Sequence, residues 1–108
     1  MTSDTSTELS EPVRRYVEQN LPVLESDTRR YVISYLGENE EAGVNELVDE
    51  LSSDLDMDET VLEIQLYHND LPKLNEDGLV VYHSAAEYVE LSDDGREVRE
   101  WMEEFDLI

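Results

Sequence analysis

Two amides and their neighbours form the most informative group of side chains in this sequence. Gln65 and Asn69 are four residues apart, so on a helix both amides lie on one face. An amide can form paired hydrogen bonds with the edge of adenine. His68 can donate to a phosphate or a guanine, and Lys73 can contact a phosphate. The segment is therefore a candidate contact surface for DNA. The alternative is that these are ordinary solvated residues of a helix.

A helix over residues 59–76 has to position these side chains. Asp58 provides an N-cap, and Gly78 can adopt the left-handed conformation that ends a helix. Pro72 should kink or split the helix. Apolar residues recur at i, i+3, i+7 and i+10, which predicts a buried stripe of Ile64, Tyr67, Leu71 and Leu74. The residues left to face outwards are Thr60, Glu63, Gln65, His68, Asn69, Pro72 and Lys73.

The elements before this helix are also helical in pattern. Residues 1–10 form a polar tail, and Ser10 with Pro12 opens a helix that carries Val13, Tyr16 and Val17. A turn over 21–25 follows. Ser26 or Asp27 then caps a helix from Thr28 to about Gly37, with Val32, Ile33 and Leu36 as its core positions. We expect an acidic loop over 38–43, and then a two-turn helix that is capped by Asn45 and carries Leu47, Val48 and Leu51.

Two strands and a last helix complete the pattern. Residues 79–82 and 87–91 read as strands on either side of a turn at 83–86. Ser92 and Asp93 open the final helix, whose apolar face consists of Val98, Trp101, Met102 and Phe105. A lone hairpin has to pack on helices to be stable. We therefore expect a mainly α protein with a small antiparallel β-hairpin, a winged helix-turn-helix, over residues 11–92, with 93–108 as a C-terminal helical extension.

The charge balance is extreme. The chain has 108 residues, with 29 acidic and 7 basic residues and a formal net charge of -22. Lys73 is the only lysine, and the acidic residues are spread along the whole chain. This distribution is typical of proteins from extreme halophiles, where a Debye length of about 3 Å at ~1 M salt screens self-repulsion. An acidic nucleic-acid mimic and a solvated acidic surface without salt adaptation remain alternatives.

Several function classes find no support. The sequence has no cysteine, which excludes disulfides and thiolate metal sites. It has no H-E-x-x-H or G-x-S-x-G motif and no glycine-rich phosphate loop. From Asp54, an EF-hand would need Gly at 59 and Glu at 65, where Glu59 and Gln65 stand. We expect a non-enzymatic protein without cofactor or metal. Since no apolar run could span a membrane and no secretory signal opens the chain, we expect a cytoplasmic location.

Three segments together resemble winged-helix transcription regulators. "SDTRRYVISYL" at 26–36 resembles the helix that opens many ArsR-like domains. "LPKLNEDGLVV" at 71–81 resembles the exit of their recognition helix into the wing. "LSDDGREV" at 91–98 resembles the step from wing to C-terminal helix in MarR-like proteins. "RRYVISYL" and "HNDLPKLNEDGLVVY" are similar, more closely still, to a haloarchaeal winged-helix family. The resemblance covers about residues 21–92.

In such proteins the second helix of the helix-turn-helix enters the major groove. The resemblance therefore implies that Thr60, Gln65, His68, Asn69 and Lys73 meet double-stranded DNA. Arg29 and Arg30 are the candidates for phosphate contacts, and pairing with nearby carboxylates is their alternative role. Between Glu38 and Glu63 there are eleven acidic residues and no basic one, whereas most DNA-binding domains show a basic patch. The turn at 83–86 also has no arginine or lysine.

The sequence thus predicts a DNA-binding transcription regulator. The alternative is a protein-interaction module, or an acidic DNA mimic, that has kept the fold and lost DNA binding. Winged-helix regulators often pair through terminal helices, so we expect a homodimer whose interface contains Val98, Trp101, Met102 and Phe105. Packing of these residues within one chain is the alternative.

Overall fold

Six helical segments and three short strands make up residues 26–104, the part of the chain that our computed structural model describes. The bounds are α1 Asp27–Asn39, β1 Glu41–Gly43, α2 Val44–Leu55, α3 Glu59–Gln65, a π-helical segment Leu66–Asp70, α4 Leu71–Glu76, β2 Val80–His83, β3 Tyr88–Leu91 and α5 Asp93–Glu104. The predicted tail 1–10, the helix opened by Ser10, the turn 21–25 and Phe105 lie outside the described residues. No helix between residues 26 and 104 has the length and apolarity needed to cross a membrane.

The sheet has three antiparallel strands in the order β1-β3-β2. The predicted hairpin is confirmed, with Val80 opposite Leu91 and Tyr82 opposite Val89. The prediction of an acidic loop over 38–43 is wrong, because residues 41–43 form a strand that pairs with β3 and places Ala42 opposite Val89. Ala42 is buried in the core. A three-residue strand with a single inward side chain is too short to show the alternation that predicts strands.

Helix α1 begins as expected and runs longer than expected. The hydroxyl of Ser26 accepts a hydrogen bond from the Arg29 backbone N–H at 3.3 Å, which is an N-cap. Val32, Ile33 and Leu36 are fully buried, as predicted. The helix continues to Asn39, two residues beyond Gly37.

Helix α2 begins earlier and ends later than the sequence indicated. Its N-cap is Gly43 rather than Asn45, because β1 holds Gly43 in an extended conformation and the Val44 N–H donates to the Glu87 carbonyl at 2.9 Å. The helix then runs to Leu55 and stops at Asp56, whose backbone is left-handed with φ 51°.

The long helical run over 59–76 is divided as Pro72 predicted, but its buried face differs from the prediction. The Asp58 carboxylate caps α3 by accepting from the Thr60 N–H at 2.8 Å. Ile64 was expected in the core and is instead 54% exposed. The buried positions are Leu62, Leu66, Leu71 and Leu74.

The π-helical segment explains this change of register. In a continuous α-helix the ring of Pro72 would clash with the His68 carbonyl and leave it without a donor. A single wide turn avoids this, and here the Leu71 N–H bonds to the Leu66 carbonyl, five residues back. The extra residue separates the buried leucines 66 and 71 by five positions. A prediction that assumes a constant helical period therefore places Ile64 on the buried face instead of the exposed one.

Ser92 connects Gly78, just after α4, to the first turn of α5. Gly78 has a φ of 79° and ends α4, as predicted. The Ser92 hydroxyl donates to the Gly78 carbonyl at 2.6 Å and accepts from the Gly95 N–H at 2.9 Å. Gly95 lies so close to the strand that a Cβ there would be 2.1 Å from the Leu79 carbonyl oxygen. The fold thus consists of α1, α2, the divided helical run over 59–76, the hairpin and the last helix α5, which packs on the core. This mainly helical arrangement is compatible with a winged helix-turn-helix.

Candidate nucleic-acid interface

The predicted polar residues lie on the solvent side of the helical run over 59–76. Thr60, His68, Asn69 and Lys73 are exposed, and Gln65 is half-buried. We name these five residues the reading face. The leucines on the opposite side of the run pack into the core, so the core fixes the orientation of the reading face.

Two apolar residues of α3 share this exposed side, and sequence reasoning missed both. Val61 is 46% exposed and Ile64 is 54% exposed. They are three residues apart and therefore adjacent on the helix surface. Their neighbour Leu62 is fully buried and fills the core position of α3. The signal that could have found them is Pro72, whose cost in a regular helix predicts a local change of period.

Arg29 occupies a structural position. Its Nη1 donates to Oδ1 of Asp70 at 3.3 Å, and the two side chains are 17% and 4% exposed. The pair joins α1 to the π-helical segment. Oδ2 of Asp70 has no hydrogen-bond partner among the described residues. Burial raises the pKa of Asp70, and the Arg29 guanidinium opposes that rise. For Arg29 the intrachain pairing that the sequence left open is therefore observed.

The other cations are also engaged with carboxylates. Arg30 bonds to Asp27 on the same helix, and Lys73 lies 3.8 Å from Asp77. Two more arginines join α5 to acidic side chains, and their partners are Glu40 and Asp93 for Arg96, and Glu38 and Glu103 for Arg99. Every lysine and arginine between residues 26 and 104 thus has a carboxylate within 4.0 Å.

The surface next to the reading face is acidic. The exposed side of α2 and the connection to α3 carry Glu46, Asp49, Glu50, Asp54, Asp56, Asp58 and Glu59. In a helix-turn-helix the helix in the position of α2 crosses the DNA backbone. These carboxylates repel phosphate groups. Helix α2 therefore does not supply the electrostatic attraction to DNA that most DNA-binding domains have.

The hairpin is tied to the helical run over 59–76, which we call the reading helix. The Asn75 side-chain carbonyl accepts from the Tyr82 N–H at 3.0 Å, which ties α4 to β2. Burial first, and the Glu87 carboxylate of the hairpin turn next, raise the pKa of Tyr67 in the π-helical segment. The hairpin is therefore attached directly to the reading helix.

His83 is part of a small polar cluster beside the turn of the hairpin. Its Nε2 is 2.7 Å from Oε2 of Glu90, and its ring stacks on Tyr88 with centroids 4.4 Å apart. The Tyr88 hydroxyl donates to the same Glu90 oxygen at 3.3 Å. The cluster holds β2 against β3, so His83 is a half-exposed structural residue of the hairpin.

A family model described as Domain of unknown function (DUF7344) matches residues 21–90. The chain belongs to this family. Searches of curated proteins and of solved structures gave no significant match. The DUF7344 match spans α1 through β3 except for the last residue of that strand, and therefore includes the reading face and the hairpin.

Helix α5 lies beyond the DUF7344 match and completes the core of this chain. Val98 and Met102, two of the residues expected at a dimer interface, are 1% and 0% exposed within the single chain. They pack in the core, which is the alternative that the sequence left open. Trp101 is partly buried against the same core. A surface for a second copy on α5 would therefore have to use Trp101 and the outward residues of the helix.

Proposed function

We propose that this DUF7344 protein binds double-stranded DNA as a transcription regulator, with the reading face in the major groove. The observation that carries the proposal is the exposure of Thr60, His68 and Asn69, with Gln65 half-buried, on a helix whose other side is anchored by buried leucines. The major groove is about 12 Å wide and admits one helix. Amide side chains can pair with adenine there, and His68 can donate to guanine or phosphate.

The contact between hairpin and helix supports the same function. The hydrogen bond from the Tyr82 N–H to the Asn75 side chain joins α4 to β2. A reader that is rigid before binding loses little conformational entropy when it docks. The hairpin would then lie beside the groove as a wing without inserting a cation, because residues 83–86 have none.

The pairing of the cations with carboxylates of the same chain determines how strongly DNA binding should depend on salt. A protein that neutralises many phosphates loses affinity steeply as salt rises, with a slope of about -0.9 per phosphate contact. Here Arg29, Arg30 and Lys73 already have carboxylate partners. We therefore expect few phosphate contacts and a shallow salt dependence. Such binding suits the molar salt of a halophilic cytoplasm, which the acidic composition favours.

Selection from a randomised duplex library in ~2 M KCl tests this function. The wild type should enrich a defined sequence, and Gln65→Ala/Asn69→Ala should lose at least about tenfold in affinity for it, since one good amide–adenine pair contributes ~1–3 kcal/mol. Asn39→Ala is the matched control, because this exposed amide lies at the far end of α1. Failure of the wild type to enrich any duplex, or equal binding by the double variant, would refute groove insertion.

A second candidate is recognition of a protein partner. The acidic side of α2 together with the carboxylate-paired cations favours it, because this surface repels phosphate and attracts a basic segment. The same library experiment separates the two functions. Enrichment of a duplex that depends on Gln65 and Asn69 supports DNA binding, whereas its absence across salt concentrations leaves protein recognition as the function to pursue.

A further inference from the structure

We infer that Val61 and Ile64 determine specificity by contacting thymine methyl groups, an inference that rests on the proposed DNA-binding function. These two residues are 46% and 54% exposed, and they are interleaved with Thr60, Gln65 and His68 on the reading face. The C5-methyl group of thymine is the apolar feature of the major groove. The helix thus presents hydrogen-bonding and apolar groups side by side, which is the combination that an A·T pair displays.

Packing in the core does not explain why Val61 and Ile64 are apolar. Leu62 and Leu66 are fully buried and supply the apolar contacts of this part of the helix. The neighbouring helix α2 uses mainly acidic and polar side chains on its exposed side. Large apolar side chains on the reading face therefore depart from the pattern of the surface around them.

The shape of the two side chains suits such a contact. Both are β-branched, so on a helix their χ1 angle is already largely fixed. Little rotamer freedom is lost when such a side chain meets a methyl group. The adjacent Gln65 can reach an adenine while Ile64 meets a thymine, so A·T pairs should dominate at these positions of the selected site.

The electrostatics of the chain make apolar contacts more valuable. Salt weakens phosphate contacts steeply, whereas contacts between apolar groups do not depend on charge and persist in concentrated salt. The three cations expected to contact phosphate, Arg29, Arg30 and Lys73, are paired with carboxylates. Methyl contacts should therefore contribute a larger share of specificity here than in a reader with a basic patch.

Replacement of thymine by uracil tests this inference directly, because it removes only the methyl group and keeps every hydrogen bond. On the selected site in ~2 M KCl, uracil at a contacted position should weaken wild-type binding about fourfold, the effect of one buried methyl group. Ile64→Ala should bind the thymine site more weakly, and uracil at the Ile64 position should then cause no further loss. Val61→Ala should behave in the same way at its own position.

Val81→Ala is the matched control, since Val81 is a comparably exposed apolar residue on β2. It should retain the full fourfold response to uracil. Thermal unfolding of each variant establishes that it is folded. A selected site at which no uracil weakens the wild type, or at which Ile64→Ala and Val61→Ala keep the full response, would overturn the inference and leave DNA binding intact. Failure to select any duplex would overturn the proposed function itself.

Discussion

The guanidinium of Arg29 and the carboxylate of Asp70 form a largely buried ion pair, 3.3 Å apart, between α1 and the π-helical segment of the reading helix. The two residues are 41 positions apart in the chain. The pair holds the reading helix at the turn where its hydrogen-bond pattern changes. Its importance is therefore structural, and it positions the outward side chains on either side of that turn.

Removal of the cation should destabilise the fold strongly. Arg29→Ala leaves the Asp70 carboxylate buried without a counter-charge, which should lower the free energy of unfolding by about 3–5 kcal/mol. Arg30→Ala is the matched control, because its partner Asp27 is 70% exposed, and it should cost less than about 1 kcal/mol. Urea unfolding in ~2 M KCl measures both. Equal losses for the two variants would show that the buried pair is not special.

The raised pKa of Asp70 predicts a specific pH dependence. The folded protein binds the Asp70 proton more readily than the unfolded chain, whose pKa stays near 3.8. This contribution to stability is present in acid and is lost as pH rises from the unfolded pKa through the higher folded pKa. Asp70→Asn cannot titrate. The unfolding free energy of the wild type relative to Asp70→Asn should therefore fall across this acidic window and be constant above it. A difference that rises with pH would contradict a raised pKa.

The change of register in the reading helix can be tested by truncation. Leu66→Ala should lower the unfolding free energy by about 2–5 kcal/mol, because Leu66 is fully buried. Ile64→Ala should cost less than about 1 kcal/mol, because that side chain is 54% exposed. Chemical unfolding compares the two directly. A larger loss for Ile64→Ala would restore the buried stripe that the sequence pattern indicated.

Self-repulsion of the acidic surface predicts that salt stabilises the protein. Raising KCl from ~0.01 M to ~0.1 M shortens the Debye length from about 30 Å to about 10 Å. The thermal midpoint should rise steeply in this range, where changes in apolar hydration are small, and continue to rise more slowly towards molar salt. An equal osmolality of sucrose is the control, since it does not screen charge. A midpoint that is flat below ~0.1 M would rule out self-repulsion as the dominant effect of the charge.

Trp101 provides a test of the homodimer that the sequence predicts. Val98 and Met102 are buried in the core of the same chain, so the partly buried Trp101 is the remaining described candidate for the interface. In sedimentation experiments in ~2 M KCl, a dimeric wild type should become monomeric in Trp101→Glu. Glu100→Gln, at a neighbouring exposed position, should leave the dimer unchanged. A monomeric wild type, or a dimer that persists in Trp101→Glu, would place any self-association elsewhere.

Local signals in the sequence predicted the parts of the fold that depend on local chemistry. Ser26 and Asp58 cap helices because their side chains accept from backbone N–H groups two or three residues ahead. Gly78 ends the helix in the left-handed conformation, which glycine adopts readily because it has no Cβ. The hairpin follows from two apolar segments on either side of a short polar turn.

The parts that the sequence missed depend on distant partners or on a change of period. Strand β1 exists because β3 lies beside it, and its own three residues carry no strand signal. The partner of Arg29 could not be chosen among many carboxylates, because Asp70 comes near only when α1 packs on the reading helix. Ile64 was misplaced because one residue is added to the helix between two of its buried leucines, Leu66 and Leu71.

That added residue sets the relative rotation of the two halves of the helix. Each residue of an α-helix advances the side chain by about 100° around the axis. The wide turn absorbs the added residue, so the leucines of α3 and α4 share one face. If the same residues kept the regular period through 66–70, every side chain of α3 would be turned by about that angle relative to α4. Ile64 would leave its solvent position and Leu62 would leave the interior. A proline near the end of the helix therefore governs which amino acids, two turns earlier, a ligand can meet.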